Sequence, residues 1–220
     1  VTDANCNNLK DIEGVTVAEG GEFKYDPVER TLTMKGVTVS NESGQAILNK
    51  SIEGLKIRVL GTNSLKTSNN ATLSSSASTE IEGNGSLTIA SDSDRAAVFV
   101  GNTTLTISDI TLEATGAWGF VGYYGNKNTT LIIKNATVTA NGTAAAIAAL
   151  KTFTLEGCRI VAPEGAEWKA EKYAVVDAGG NKAKEVKIAP IKKYELYIAG
   201  TQVTDANCNN LKDITGVTVS

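Results

Sequence analysis

Between Leu32 and Ile160 one short pattern keeps returning: an apolar residue, a small or polar one, another apolar one, then a turn rich in Gly or Asn. It is written in Leu32-Thr-Met34-Lys-Gly-Val37-Thr-Val39, in Ile57-Arg-Val59, at Ile81, in Leu105-Thr-Ile107-Ser-Asp-Ile110-Thr-Leu112, in Leu131-Ile-Ile133-Lys-Asn-Ala136-Thr-Val138 and in Phe153-Thr-Leu155-Glu-Gly-Cys158-Arg-Ile160. With Met34, Val59, Ile81, Ile107, Ile133 and Leu155 taken as equivalent, the spacings are 25, 22, 26, 26 and 22 residues. Alternation with period two sends successive side chains to opposite sides of a strand, and Thr, Val and Ile suit such a half-buried pleat. A repeat this short cannot bury its own apolar side, so equivalent inward residues must stack on those of the copies above and below.

Each repeat also carries a second strand-like segment just upstream: Ala46-Ile-Leu48, Ala97-Val-Phe-Val100, Gly119-Phe-Val121 and Ala146-Ile-Ala148. Two or three short strands per repeat with almost no helical patterning predict an all-β chain. The spacing predicts a single-stranded right-handed parallel β-helix (β-solenoid) of about six coils, because left-handed hexapeptide helices would keep a stricter rhythm of six. Leucine-rich repeats share this length, and Leu55-x-Ile57-x-Val59-x-x-x-Asn63-x-Leu65 matches their consensus once, but the other coils do not keep its Leu and Asn positions. In the β-helix register Ile110, Ala136 and Cys158 fall in one inward column and Leu112, Val138 and Ile160 in another. Cys158 therefore reads as a small core hydrophobe.

The ends carry a longer repeat. Val1–Ala18 (VTDANCNNLKDIEGVTVA) returns as Val203–Ser220 (VTDANCNNLKDITGVTVS), differing only at Glu13/Thr215 and Ala18/Ser220. The expected organisation is one β-helix unit over 1–193, with a capping segment over 1–30 and an atypical last coil over 163–190, followed by the opening of a second, incomplete unit over 194–220. That last segment is expected to fold back on the final coil or to make head-to-tail contacts with a neighbouring molecule.

Composition removes several classes of function. With no histidine, the chain lacks the commonest general base, the commonest metal ligand and every His-containing triad. The 21 Lys and Arg against 24 Asp and Glu leave a net charge of −3, too small for a nucleic-acid footprint. The three cysteines include Cys6 and Cys208, the same position in the two copies of the motif, and form no CxxC or other metal-ligand spacing. No apolar run is long enough to span a bilayer and no secretory leader is present. No catalytic residue, metal site or cofactor is assigned.

Two clusters stand out as candidate sites. Trp118-Gly-Phe120-Val-Gly-Tyr123-Tyr124 gathers four aromatics in a chain that has few, and flat rings with polar edges suit stacking on sugars or anchoring a protein partner. Phe120 aligns with Val98 and Ile147 and should point inward, which leaves Trp118, Tyr123 and Tyr124 as ligand-binding candidates. The second cluster is the acidic loop Ser91-Asp92-Ser-Asp94-Arg95, where Asp92 and Asp94 stand beside a guanidinium. β-Helix polysaccharide lyases and hydrolases use acids in such loops, but an Asx-rich turn gives the same pattern.

The segment Tyr194-x-Leu196-x-Ile198-x-Gly200-Thr-Gln202-Val-Thr204, followed by Asn207-Cys208-x-Asn210-Leu211, together with Phe23-x-Tyr25-Asp26-Pro27 and Thr31-Leu32-Thr33, resembles the opening of modules in tandem-unit bacterial surface and secreted proteins. Those modules continue into pectate-lyase-like β-helix coils. The resemblance implies an extracellular or cell-surface location and a non-catalytic adhesin that binds a polysaccharide or a host or cell-surface protein. A β-helix polysaccharide lyase or hydrolase and a structural spacer repeat are the alternatives, since one solenoid hosts all three.

Overall fold

The computed structural model describes residues 1–2, 4–92, 94–123 and 128–218. β1 (Val15–Asp26) lies antiparallel on β2 (Thr31–Asn41), and with β2 the winding begins; β3 (Ile47–Asn49) closes the first turn. The second turn is β4 (Leu55–Leu60), β5 (Thr62–Thr67) and β6 (Leu73–Ser75), and the third is β7 (Thr79–Gly83), β8 (Ser86–Ser91) and β9 (Ala96–Val100). In the fourth, β10 (Thr104–Ser108) leads into β11 (Thr111–Val121), which bends to serve two faces; the fifth repeats this with β12 (Thr130–Lys134) and β13 (Thr137–Ala148). β14 (Thr152–Glu156) and β15 (Cys158–Ala162) start a sixth.

Every turn stacks in parallel on the next, giving a β-solenoid with three faces. The first face is the opening half of β2 followed by β4, β7, β10, β12 and β14. On the second face lie the closing half of β2, then β5, β8 and the opening halves of β11 and β13. The third face holds β3, β6, β9 and the closing halves of β11 and β13. Inward columns run the length of the core, as in Leu32–Ile57–Ile81–Ile107–Ile133–Leu155 and Ile47–Leu73–Val98–Phe120–Ile147. Phe120 is completely buried, as its alignment with Val98 and Ile147 predicts.

Two details differ from the sequence register. Ile81 pairs with Ile57 rather than with Val59, which stands opposite Gly83. Both Val59 and Ile81 point inward, so period-two parity cannot separate a register from one displaced by two residues.

Second, five turns close, not six. After Gly157 the strands β13 and β15 splay apart, and β18 (Glu185–Pro190) runs antiparallel between them. Ile160 therefore does not stack on Val138: Ile188 stands between the two. Cys158 sits at the narrow end of the wedge, 5% exposed, its Sγ donating to the Ala136 carbonyl at 3.5 Å. Burial pushes the Cys158 thiol up from its ordinary pKa, which keeps it in the neutral form.

Ahead of β18, β16 (Glu167–Lys169), a short 3-10 turn at Ala170–Lys172 and β17 (Ala174–Val176) fold back as antiparallel strands, with Ala174 opposite Ala148. These strands and β18 cover the last edge of the second and third faces, which would otherwise offer unpaired backbone to another chain. β19 (Lys193–Ile198) and β20 (Thr201–Thr204) form a separate hairpin that leads into the second copy of the terminal motif and a 3-10 turn at Leu211–Asp213. An Arg159–Asp205 ion pair at 3.2 Å ties this segment to the sixth-turn strand β15.

Candidate functional site

The outer side of the third face bears a groove of about 460 Å³ that crosses the first four turns. It begins at Gln45 and Leu48, passes Asn69, Asn70 and Ala71 in the second turn and Asp94, Arg95 and Phe99 in the third, and ends at Trp118 and Val121 in the fourth. Strand register dictates this line-up. Leu48, Ser74, Phe99 and Val121 are successive partners in one outward column, and Ala96 stands opposite Trp118. Stacked strands lie ~4.8 Å apart, so an outward column repeats at nearly the length of one pyranose ring in an extended glycan.

The two sequence clusters converge here, because Arg95 and Trp118 are about one turn apart. The Arg95 carbonyl accepts the Ala117 N–H at 2.7 Å, which holds the acidic loop against the strand that bears Trp118. Trp118 is half-buried, packed on Ala145, Ala148 and Ala174 while it lines the groove. Phe99 meets Tyr123 edge to face, with centroids 5.0 Å apart and planes at 89°. Tyr123 is 49% exposed at this rim. Tyr124, the third aromatic candidate, lies outside the described residues.

The polar groups of the groove are partly preorganised. The Gln45 side-chain amide donates to Asn70 Oδ1 at 3.3 Å, and the Asn69 amide donates to the Glu42 carbonyl at 3.0 Å. Asp94 pairs with the neighbouring Arg95 at 3.5 Å, and its carboxylate is almost wholly solvated. Asp92 does not join it. Its backbone N–H donates to the Thr67 carbonyl and its carboxylate pairs with Lys66 at 2.8 Å, a residue of the second face. The two carboxylates of the loop thus serve different surfaces. Among the described residues no three His, Cys, Asp or Glu side chains gather to hold a metal ion.

Sequence reasoning named Trp118, Tyr123, Asp92 and Asp94, but missed Phe99, Arg95 as a groove residue, and the Gln45, Asn69 and Asn70 carboxamides. The missing signal was the turn length itself: segments 22 to 26 residues apart lie over one another in successive turns, so the neighbourhoods of Asn70, Arg95 and Trp118 could have been grouped by spacing alone. Protein-family models, curated proteins and solved structures give no match to this chain. The chemistry of the groove is therefore read from its own residues.

Proposed function

We propose that the chain is a non-catalytic β-solenoid module of a surface or secreted protein and that the third-face groove binds an extended glycan. The observation that carries this reading is the meeting of Trp118 and Phe99 with Arg95, Asp94 and the Gln45, Asn69 and Asn70 carboxamides in one shallow concavity. Sugars present apolar ring faces and bidentate hydroxyl pairs; an indole answers the first, and guanidinium, carboxylate and carboxamide groups the second. The groove crosses strands rather than running along one, so a linear chain laid in it meets one set of side chains per ring. Asp94 beside Arg95 is a solvated hydrogen-bonding pair in this scheme, not a general acid.

A glycan array followed by calorimetric titration of the strongest ligand tests the proposal. Trp118→Ala and Arg95→Ala should each weaken binding about tenfold or more, which corresponds to ~1.4 kcal/mol; the melting temperature should move little in Arg95→Ala and fall in Trp118→Ala, which also gives up packing on Ala145, Ala148 and Ala174. Unchanged affinity in both variants, or no glycan bound by the parent protein, would exclude this groove as the binding site.

A further inference from the structure

The two copies of the terminal motif fold alike. Thr2 N donates to Asn5 Oδ1 at 2.7 Å and Thr204 N to Asn207 Oδ1 at 2.7 Å; Cys6 N donates to the Thr2 carbonyl and Cys208 N to the Thr204 carbonyl, both at 2.9 Å. The same holds for Asn8 to Asn5 and Asn210 to Asn207, both at 3.0 Å, and for Val15 to Ile12 and Val217 to Ile214, again both at 3.0 Å. The local fold is a property of the motif and not of its surroundings.

What differs is which side of the motif is covered. In the first copy Cys6 and Leu9 are buried over the open end of the solenoid, and Leu9 N donates to the Phe23 carbonyl. Val1 and Ile12 remain 72% and 38% exposed, at the open rim of a mainly apolar cavity of about 440 Å³ that Cys6 and Leu9 also line, together with Leu32, Ile47 and Leu55 of the first turns. In the second copy the pattern is reversed. Val203 and Ile214, the twins of Val1 and Ile12, are 3% and 6% exposed, while Cys208 and Leu211 are only half-buried. The β19–β20 hairpin accompanies this second copy. Val203 belongs to β20, the Asn207 side-chain amide donates to the Gln202 carbonyl at 3.2 Å, and Gly216 lies against Ala199.

We infer that the motif is a two-faced joint. Its Ile12 side is a docking surface for a β-hairpin formed by residues 193–202 of a preceding copy of this unit, with Val1 and Thr2 completing the second strand, and its Cys6/Leu9 side seats on the following solenoid. Each copy seen here has one of the two faces filled, and the filled faces are complementary. Units placed at the 202-residue offset of the motif then share one joint, which continues the solenoid stack from one unit to the next.

The test uses two tandem proteins, each built on the full chain. In the first, residues 1–202 precede a complete 1–220 chain, so that one motif is shared at the junction. In the second, two complete chains are joined by a Gly/Ser linker. In the single chain Cys208 should react with a thiol reagent under native conditions while Cys6 stays protected. With Ile12→Cys placed in the second unit, the new thiol at the junction of the shared-motif tandem should label at least ten times more slowly than the same substitution in the single chain, whereas in the linker tandem it keeps the fast rate. As a second measurement, residues 193–202 grafted in front of Val1 of the single chain should raise its thermal midpoint by about 3 °C or more; a Gly/Ser extension of equal length should not. A position-12 thiol that labels as fast in the shared-motif tandem as in the single chain, or a graft that leaves the midpoint where the Gly/Ser extension does, overturns the joint.

Discussion

Ile188 stands opposite Val138 in antiparallel register, in the place that a sixth parallel turn would give to Ile160. The strand that carries it is paired on both edges, and Ile188 is buried with Val186 beside Ala140. Ile188→Ala removes apolar area and leaves a void between two strands that cannot both close on it, so a loss of about 2–5 kcal/mol is expected. Denaturant unfolding measures it. Hydrogen exchange should speed up first in residues 158–190, and a uniform change along the chain would mean that the wedge is not a separate unit.

The exposed carboxylate of Glu53 accepts from Ser78 Oγ at 2.5 Å and from Ser78 N at 3.0 Å, and these bonds hold its pKa below the usual carboxylate range. A carboxylate whose folded pKa is depressed adds stability above its unfolded pKa and loses it as pH falls through the folded value. The contact between these neighbouring turns should therefore weaken only on acidification below about pH 4.5, the ordinary value. Ser78→Ala should move the Glu53 titration midpoint up toward that value, observed by carboxyl NMR. An unmoved midpoint would show that the hydroxyl does not set it.

The sequence made the stacking legible because it depends on parity and turn length, both local. Inward Ile57, Ile81 and Ile107 alternate with polar residues on the same strands, so the fold class and most columns follow. The two-residue slip at Val59 escaped notice because it changes no side chain's direction. The β18 wedge was hidden for another reason. Glu185-Val-Lys-Ile-Ala alternates like any strand, and nothing local tells a strand whether to stack in parallel on a turn or to run back between two of them. Of the candidate site, the aromatic Trp118 was readable from composition; the groove around it arises from residues of four turns and appears only when the register is applied to outward positions.

Gly83 and Gly61 test the register through the backbone. Gly83 has φ of +136°, and a Cβ there would land on the Val59 carbonyl oxygen, whereas Gly61, with φ of +63°, has open space around the same position. Gly61→Ala should cost only the left-handed backbone penalty of about 1–2 kcal/mol. Gly83→Ala adds a steric clash with the preceding turn and should cost on the order of 3 kcal/mol or more. Thermal melts of the two variants compare them directly, and equal losses would place Gly83 out of contact with Val59.

Asn63 is a buried polar residue inside an otherwise apolar column, paired with Leu87 and followed by Leu112 and Val138. The reason lies at the corner between the first and second faces, where the ladder is interrupted. Its Oδ1 accepts the Val37 N–H at 2.9 Å and its Nδ2 donates to the Leu60 carbonyl at 3.0 Å, so one side chain replaces two missing ladder bonds. Asn63→Leu would suit the column in shape and hydrophobicity, and by area alone it should stabilise the protein. Against that, it strands a buried N–H and a carbonyl, each worth about 1–3 kcal/mol when left unmade. The polar term is larger, so Asn63→Leu should be destabilising by about 2 kcal/mol or more, with the Val37 amide becoming far quicker to exchange than its neighbours. A variant as stable as the parent, with Val37 still protected, would mean that water or a backbone shift supplies the bonds and that the asparagine is not what closes this corner.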